Sequence, residues 1–383
     1  MTNDKHPSIE LILSNWLAGQ TPKEVEYQQL VTEALADKSR ARAFGITSLN
    51  VEKIIQERTQ LFQAVASEVL SLPSFNKKGR EQATGNREED FACLFSSSRV
   101  KLPKTQQQQA ILSLWNLWLP LARQLTSSRQ QLCRPLIQGI LGGQGTGKTT
   151  LGTVLSLILT HLGYRTLNLS IDDIYKTYGE RQHLQQQDPR LVWRGPPGTH
   201  DVELGLQLLE QLRQPNQQAP ISVPRFDKSV WGGIGDRSGT ELVENIDIVL
   251  FEGWLVGVQP INPVVFDGNT PAPIQTWADR LFARDMNERL KDYLPLWEYL
   301  DRLIVLYPVD YRLSKEWRLQ AEQEMIATGK SGMSDTQISE FVEYFWKSLH
   351  PELFITPLTR NPSLVDVVVE VNRDHTPGAV YLP

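Results

Sequence analysis

Within Ile140-Leu-Gly-Gly-Gln-Gly-Thr-Gly-Lys-Thr-Thr-Leu151, four glycines, a lysine and three threonines stand between two apolar flanks. Residues 142–149 fit the pattern GxxxxGKT. Backbone amides can approach phosphate oxygens closely where side chains are absent, and a helix opening at such a loop adds the positive end of its dipole. Lys148 then offers a point charge to β- and γ-phosphates, and the Thr149 hydroxyl a ligand for Mg²⁺. The expected nucleotide cradle is therefore Gly142, Gly143, Gln144, Gly145, Thr146, Gly147, Lys148, Thr149 and Thr150, with ATP and Mg²⁺ as cofactors. The competing reading is a glycine-rich turn with a surface lysine. An apolar run immediately before the loop and a helical run immediately after it favour the cradle.

A second metal contact is expected from an acid at the end of a neighbouring buried strand, and Glu252, closing Asp247-Ile-Val-Leu-Phe-Glu, has that place. Its alternative is a strand-end surface glutamate. Phosphoryl transfer to a hydroxyl also needs a base near the γ-phosphate. Ser170-Ile-Asp-Asp-Ile-Tyr175 puts two carboxylates just past a strand, so Asp172 is the expected base and Asp173 a neighbour able to contact substrate or metal. Both could instead cap a helix or turn. No NKxD guanine-reading sequence follows the loop, which argues against a GTPase.

The elements that must position these residues are legible in outline. Residues 1–130 read as helices, for example in Val51-Glu-Lys-Ile-Ile-Gln-Glu-Arg-Thr-Gln-Leu-Phe-Gln-Ala-Val65, broken by the Pro- and Gly-containing stretch 71–80. A further helix is expected over 108–125, with Trp115 and Trp118 on one face. From Pro135 the texture changes to short apolar strands at 135–141, 166–170, 247–251, 303–306 and 364–371, alternating with helices such as 149–162. That alternation implies a parallel sheet covered on both faces. The expected fold is thus a doubly wound α/β domain at 131–383 with an N-terminal helical region at 1–130. Trp277 and Trp297 are expected to pack.

Composition narrows the function classes. The 383 residues are 40% apolar with a formal net charge of −5, enough for a core but with no general attraction to nucleic acid or anionic lipid. No 18-residue apolar run is present, so no membrane span is expected. Two cysteines, Cys93 and Cys133, match no metal spacing, and a reducing, cytoplasmic location is the default.

The ordered set GGQGTGKTT, LSIDDIYKT, RGPPGTHD, VPRFDKS, GDR and VLFEGW resembles the plant and cyanobacterial type of D-glycerate 3-kinase, within the wider phosphoribulokinase, uridine kinase and pantothenate kinase group. The resemblance covers roughly residues 135–383. It implies a P-loop NTPase fold and transfer of the ATP γ-phosphate to the 3-hydroxyl of D-glycerate, the closing step of photorespiratory carbon recovery. Asp172 stands at the group's catalytic aspartate and Glu252 at the acid of its FEG motif. Phe226 replaces the usual tyrosine of PRYDKS. Arg284-Asp-Met-Asn-Glu-Arg289 resembles the RDxxER lid helix, which implies that Arg284 and Arg289 close over the transferring phosphoryl group. A solvated helix face is the other reading.

A small carboxylic acid as acceptor would also require a local cation, best a planar fork. Arg225 ranks first, then Lys228, Arg194 and Arg237, all in the insertion between the 166–170 and 247–251 strands, with Asp227 beside them. His200 and Asp201 follow a tight Pro-Pro-Gly-Thr bend, and Asp201 could either bind glycerate hydroxyls or cap the helix starting at Val202. Adenine contact is placed at 359–362. Two rivals remain: a kinase of another small alcohol such as pantothenate, a nucleoside or a sugar phosphate, and a non-catalytic nucleotide-gated interaction protein.

Overall fold

The computed structural model describes residues 7–72, 104–215, 219–327 and 332–383; Cys93 and most of the 71–80 stretch lie outside the described residues. Two compact units are present. One comprises Met1–Thr126, Thr153–Gly163 and Ala379–Tyr381, the other Ser127–Gly152, Tyr164–Gly378 and Leu382–Pro383.

Apart from Ala379–Tyr381, the regular elements among the described residues of the first unit are helices. Val51–Ser71 buries Val51, Ile54, Ile55, Phe62, Val65 and Val69, apolar positions three or four apart that align on one face. The helix expected at 108–125 runs further, through Lys104–Ser113, a π-helical turn at Leu114–Trp118 and Leu119–Gln131. Trp115 is almost wholly buried and meets Trp16 and Phe62 edge-on at centroid distances of 6.0 and 5.8 Å. The Trp16 indole N–H donates to the buried Glu26 carboxylate at 2.9 Å, which satisfies a polar pair inside this core.

The second unit is built on strands β1 (Leu136–Gly142), β2 (Thr166–Ser170), β3 (Ile221–Asp227), β4 (Asp236–Val243), β5 (Ile248–Gly253), β6 (Arg302–Pro308) and β7 (Val367–Val371). Five of them form a parallel sheet in the order β2-β5-β1-β6-β7. The fold class is α/β of the P-loop kind, as expected. β1 is buried along its whole length, as a strand covered on both faces must be. Because β5 lies between β1 and β2, register places Glu252 beside both Ile140 and Ser170. The glycine loop and the Asp172 turn therefore leave the same rim, one on each side of Glu252.

The sequence reading contained no antiparallel hairpin, yet β3 and β4 pair from Ile221↔Val243 to Asp227↔Asp236, with a register shift between Pro224 and Phe226. Pro224 removes a ladder donor, and Gly232, Gly233 and Gly235 fill the connection, so the segment lacked a clean strand signature. A last strand, Pro377–Tyr381, was likewise not expected. Of the two tryptophans expected to pack, Trp297 is buried and donates to the Val258 carbonyl at 3.0 Å, but Trp277 is 78% exposed at the first turn of Trp277–Arg289.

Candidate active site

The glycine loop curls between β1 and the helix Lys148–His161, with Gly145 and Gly147 at φ of +78° and +84°, a region that side chains resist. A Cβ on Gly145 would lie 2.7 Å from that of Trp317. The loop is shaped from within: Thr146 Oγ1 donates to the Gly143 carbonyl at 2.9 Å, and Lys148 Nζ donates to the same oxygen at 3.0 Å. Burial lowers the Lys148 ammonium pKa, while the charges of Glu252 and Asp172 oppose that shift, so both carboxylates act on one lysine. Thr149 Oγ1 donates to Glu252 Oε1 at 2.8 Å.

Across the rim, Ser170 caps a 3₁₀ turn at Ile171–Ile174. Its hydroxyl accepts from the Asp172 N–H at 3.2 Å, and Asp173 accepts from the Ser170 N–H at 3.0 Å. Asp173 is buried and holds this turn, whereas Asp172 points outward to an ion pair with Lys228 Nζ at 2.6 Å. Burial alone would raise the Asp172 carboxyl, but the charge and hydrogen bond of Lys228, helped by the Tyr175 hydroxyl, bring it down to about 2. His200 stacks on Tyr175 at 4.5 Å and is fully enclosed, which pushes its imidazole down to about 3 and keeps it neutral. The Gly198 N–H donates to Tyr293 Oη at 2.9 Å, and the same phenol oxygen lies 2.7 Å from His200 Nδ1. The other ring nitrogen, Nε2, is buried with no hydrogen-bond partner.

The cations nominated from the sequence divide sharply in use. Arg225 gives Nη1 to Asp173 at 2.8 Å and to the Asn168 carbonyl at 3.1 Å, and Nε to Glu241 at 2.8 Å, with Nη2 on Glu241 as well. Its fork is taken up inside the scaffold. Arg237 bonds the Tyr175 carbonyl and Asp201 Oδ2 at 2.8 and 2.7 Å. Asp201 Oδ1 accepts from the Leu204 N–H at 3.1 Å, which caps the helix that begins at Val202. Arg194 places Nη1 on the carbonyls of Gly233 and Ile234 at 2.8 and 2.6 Å, and its guanidinium lies over Phe226 at 5.4 Å. Phe226 also packs edge-on to Tyr175 and under Arg181, so at this position the ring serves as a platform without needing a hydroxyl. Asp227 folds the hairpin tip by accepting from Ser229 N–H and Oγ at 2.7 and 2.6 Å.

No family model matches the chain. An Uncharacterized kinase, mug58, of Schizosaccharomyces pombe is 30% identical over 251 residues, covering 63% of this chain and 90% of the relative. The chloroplastic D-glycerate 3-kinase of Arabidopsis thaliana is 30% identical over 256 residues, 63% of this chain, and the match spans about half, 54%, of that longer protein. Among solved structures, a D-glycerate 3-kinase from Cryptococcus neoformans superposes with a TM-score of 0.61 at 28% identity, over 69% of this chain and 98% of the other. The chain belongs to the D-glycerate 3-kinase-like family of P-loop kinases. The kinase and nucleotide-binding expectations hold at that level.

The structure places the remaining expected site residues of this kinase as follows. Arg284 pairs with Asp267 in an exposed contact, while Arg289 donates to Asp188 at 2.7 Å and lies against Gly198. Residues five apart are turned by about 140° around a helix, so the two side chains leave it in different directions. Only Arg289 adjoins the His200 loop, and its Nη1 is buried without a hydrogen-bond partner. Similarly, Thr359 hydrogen-bonds within its own 3₁₀ turn, whereas the loop at 372–376 touches the cradle: His375 Nδ1 lies 3.0 Å from the Gly145 carbonyl, with its ring on Trp317 at 4.7 Å. Tyr175, Tyr293, Trp317 and Glu241 also contact these residues, and none of the four was nominated. Tyr175 stands two residues after the second aspartate and could have been; the others carry no spacing signal because they arrive from distant segments.

The residues present fit a divalent cation. Glu252 Oε2 is buried without a hydrogen-bond partner beside the Thr149 hydroxyl, the donor set of two hard oxygens that Mg²⁺ takes. No helix among the described residues is long and apolar enough to cross a membrane.

Proposed function

We propose that this P-loop kinase transfers the γ-phosphoryl group of ATP to the 3-hydroxyl of D-glycerate, giving 3-phosphoglycerate. One observation carries the reading: Asp172 leaves the same sheet rim as Lys148 and the Thr149–Glu252 pair, and its ion-pair partner is a lysine on a hairpin tip. The relatives named D-glycerate 3-kinase support glycerate as the acceptor. The glycine-loop amides and Lys148 hold the phosphates. Thr149 and Glu252 hold Mg²⁺, which neutralises charge on the phosphates when bound. Asp172 accepts the acceptor hydroxyl proton, His200 Nε2–H donates a hydrogen bond that orients the acceptor, and Arg289 Nη1 faces the charge that develops. Arg194 and Lys228 are the cations proposed for the acceptor carboxylate, and the cytoplasm is the proposed location.

ADP release measured with D-glycerate, pantothenate, uridine and ribulose 5-phosphate tests the acceptor. Turnover with glycerate is expected, and turnover with pantothenate alone would overturn the assignment. Asp172→Asn is expected to lower kcat by about 10²- to 10⁴-fold with ADP binding retained; unchanged kcat would remove Asp172 from the base role.

A further inference from the structure

We propose that Lys228 is exchanged between Asp172 and the acceptor's own carboxylate, so that an anionic acceptor uncovers the base that then takes its proton. The proposal rests on the kinase reading above, with Asp172 as base. Its first support is the geometry of the pair. The Lys228 ammonium closes on Asp172 Oδ2 at 2.6 Å, occupying the carboxylate that a hydroxyl must reach, while its own side chain is 63% exposed and Asp172's only 23%. Lysine at this position is a mobile point charge on a flexible stem, suited to changing partners.

The second support is that the surrounding backbone is pinned. Arg194 grips the Gly233 and Ile234 carbonyls, Arg181 the Gly235 carbonyl, and Asp236 accepts from the N–H of Tyr178 and the indole N–H of Trp231. The Asp227–Ser229 turn fixes the residue on either side of Lys228. Exchange therefore needs only the lysine side chain to swing, without movement of the hairpin. Third, Arg225 and Arg237 are bound to Asp173, Glu241 and Asp201 and offer no comparable mobility.

The groups facing Asp172 are Lys228, the neutral His200, the Tyr175 hydroxyl and Lys148. Under the lysine's charge the carboxyl stays near 2, too acidic to draw a proton from an alcohol effectively. An acceptor carboxylate attracts Lys228 by the same Coulomb force, and a neutral alcohol has no charge with which to do so. Once Lys228 has moved, the acceptor hydroxyl loses its proton to Asp172, its oxygen forms a bond to the γ-phosphorus, and the bond from that phosphorus to the β–γ bridging oxygen breaks, its electron pair leaving with ADP.

The test compares kcat/KM for D-glycerate and its uncharged amide, glyceramide, at saturating MgATP, in the full chain and in Lys228→Met, with Lys228→Gln as a second variant and thermal melting as the folding control. Wild type is expected to favour the acid by about 100-fold. In Lys228→Met the acid should lose about 100-fold, the scale of one charged hydrogen bond, and the amide should gain about tenfold because its base is no longer covered. The acid limb of the amide profile should also move to higher pH, since a buried carboxylate without its cation is protonated more readily. Acid and amide falling in parallel would overturn the exchange. Turnover of another acid in place of glycerate overturns only the acceptor assignment, and the same comparison on that acid and its amide then decides the exchange. A chain inert toward every acceptor overturns both.

Discussion

Arg225 and Lys228 stand three residues apart in one motif and fold to different uses. The sequence ranks the arginine first for an anionic acceptor because its fork matches a carboxylate, but that same fork matches Asp173 and Glu241, which occupy it. Asp173 is nearly buried, so removing Arg225 leaves a carboxylate without its cation. Arg225→Met is accordingly expected to cost about 3 kcal/mol of folding stability, read from urea denaturation, and to change the acceptor KM less than Lys228→Met does. A variant with unchanged stability and a KM raised 100-fold would restore Arg225 to the acceptor. Asp172 and Glu252 were identifiable because each follows an apolar strand directly. Tyr293 was not, since nothing in its own neighbourhood shows that it will meet His200.

At the scale of elements, the hairpin of β3 and β4 delivers Lys228, and its connection depends on glycine. Gly235 has φ of +75°, and a Cβ there would meet the Phe226 ring and lie 2.9 Å from the Asp227 carbonyl. Gly235→Ala must therefore displace either the platform under Arg194 or the turn that begins the loop. Backbone strain alone is about 1–2 kcal/mol. The expected result is a raised acceptor KM with ADP affinity unchanged by calorimetric titration; loss of ADP binding instead would mean that the hairpin supports the cradle. The parallel strands β5, β6 and β7 were legible because burial on both faces writes a near-continuous apolar run into each, whereas β2 alternates. The hairpin was not, because Pro224 and the glycines erase alternation where the pairing register shifts.

For the whole molecule, composition divides helices before residue 130 from the alternating elements after it, yet the compact units do not follow a single cut. Thr153–Gly163, most of the helix opened by the glycine loop, belongs to the same unit as Met1–Thr126. A chain beginning at Ser127 would separate that stretch from the rest of its unit. It is expected to melt at least about 10 °C lower than the full chain and to bind ADP more weakly, by scanning fluorimetry and calorimetry. Equal melting and affinity would show that the helical residues are dispensable to the nucleotide site.

The sequence by itself determined the local chemistry: a glycine loop with its lysine and threonine, acids at strand ends, and the apolar periods that make a parallel sheet. Those follow from interactions within a few residues, where spacing is also distance. Only the tertiary structure decided which cations are locked in ion pairs, which histidine nitrogen is left without a partner, and that β5 lies between β1 and β2 to bring Glu252 and Asp172 to one rim. Such outcomes depend on contacts between segments 16 to 93 residues apart, whose competition for the same carboxylates is settled by packing and leaves no mark in local spacing.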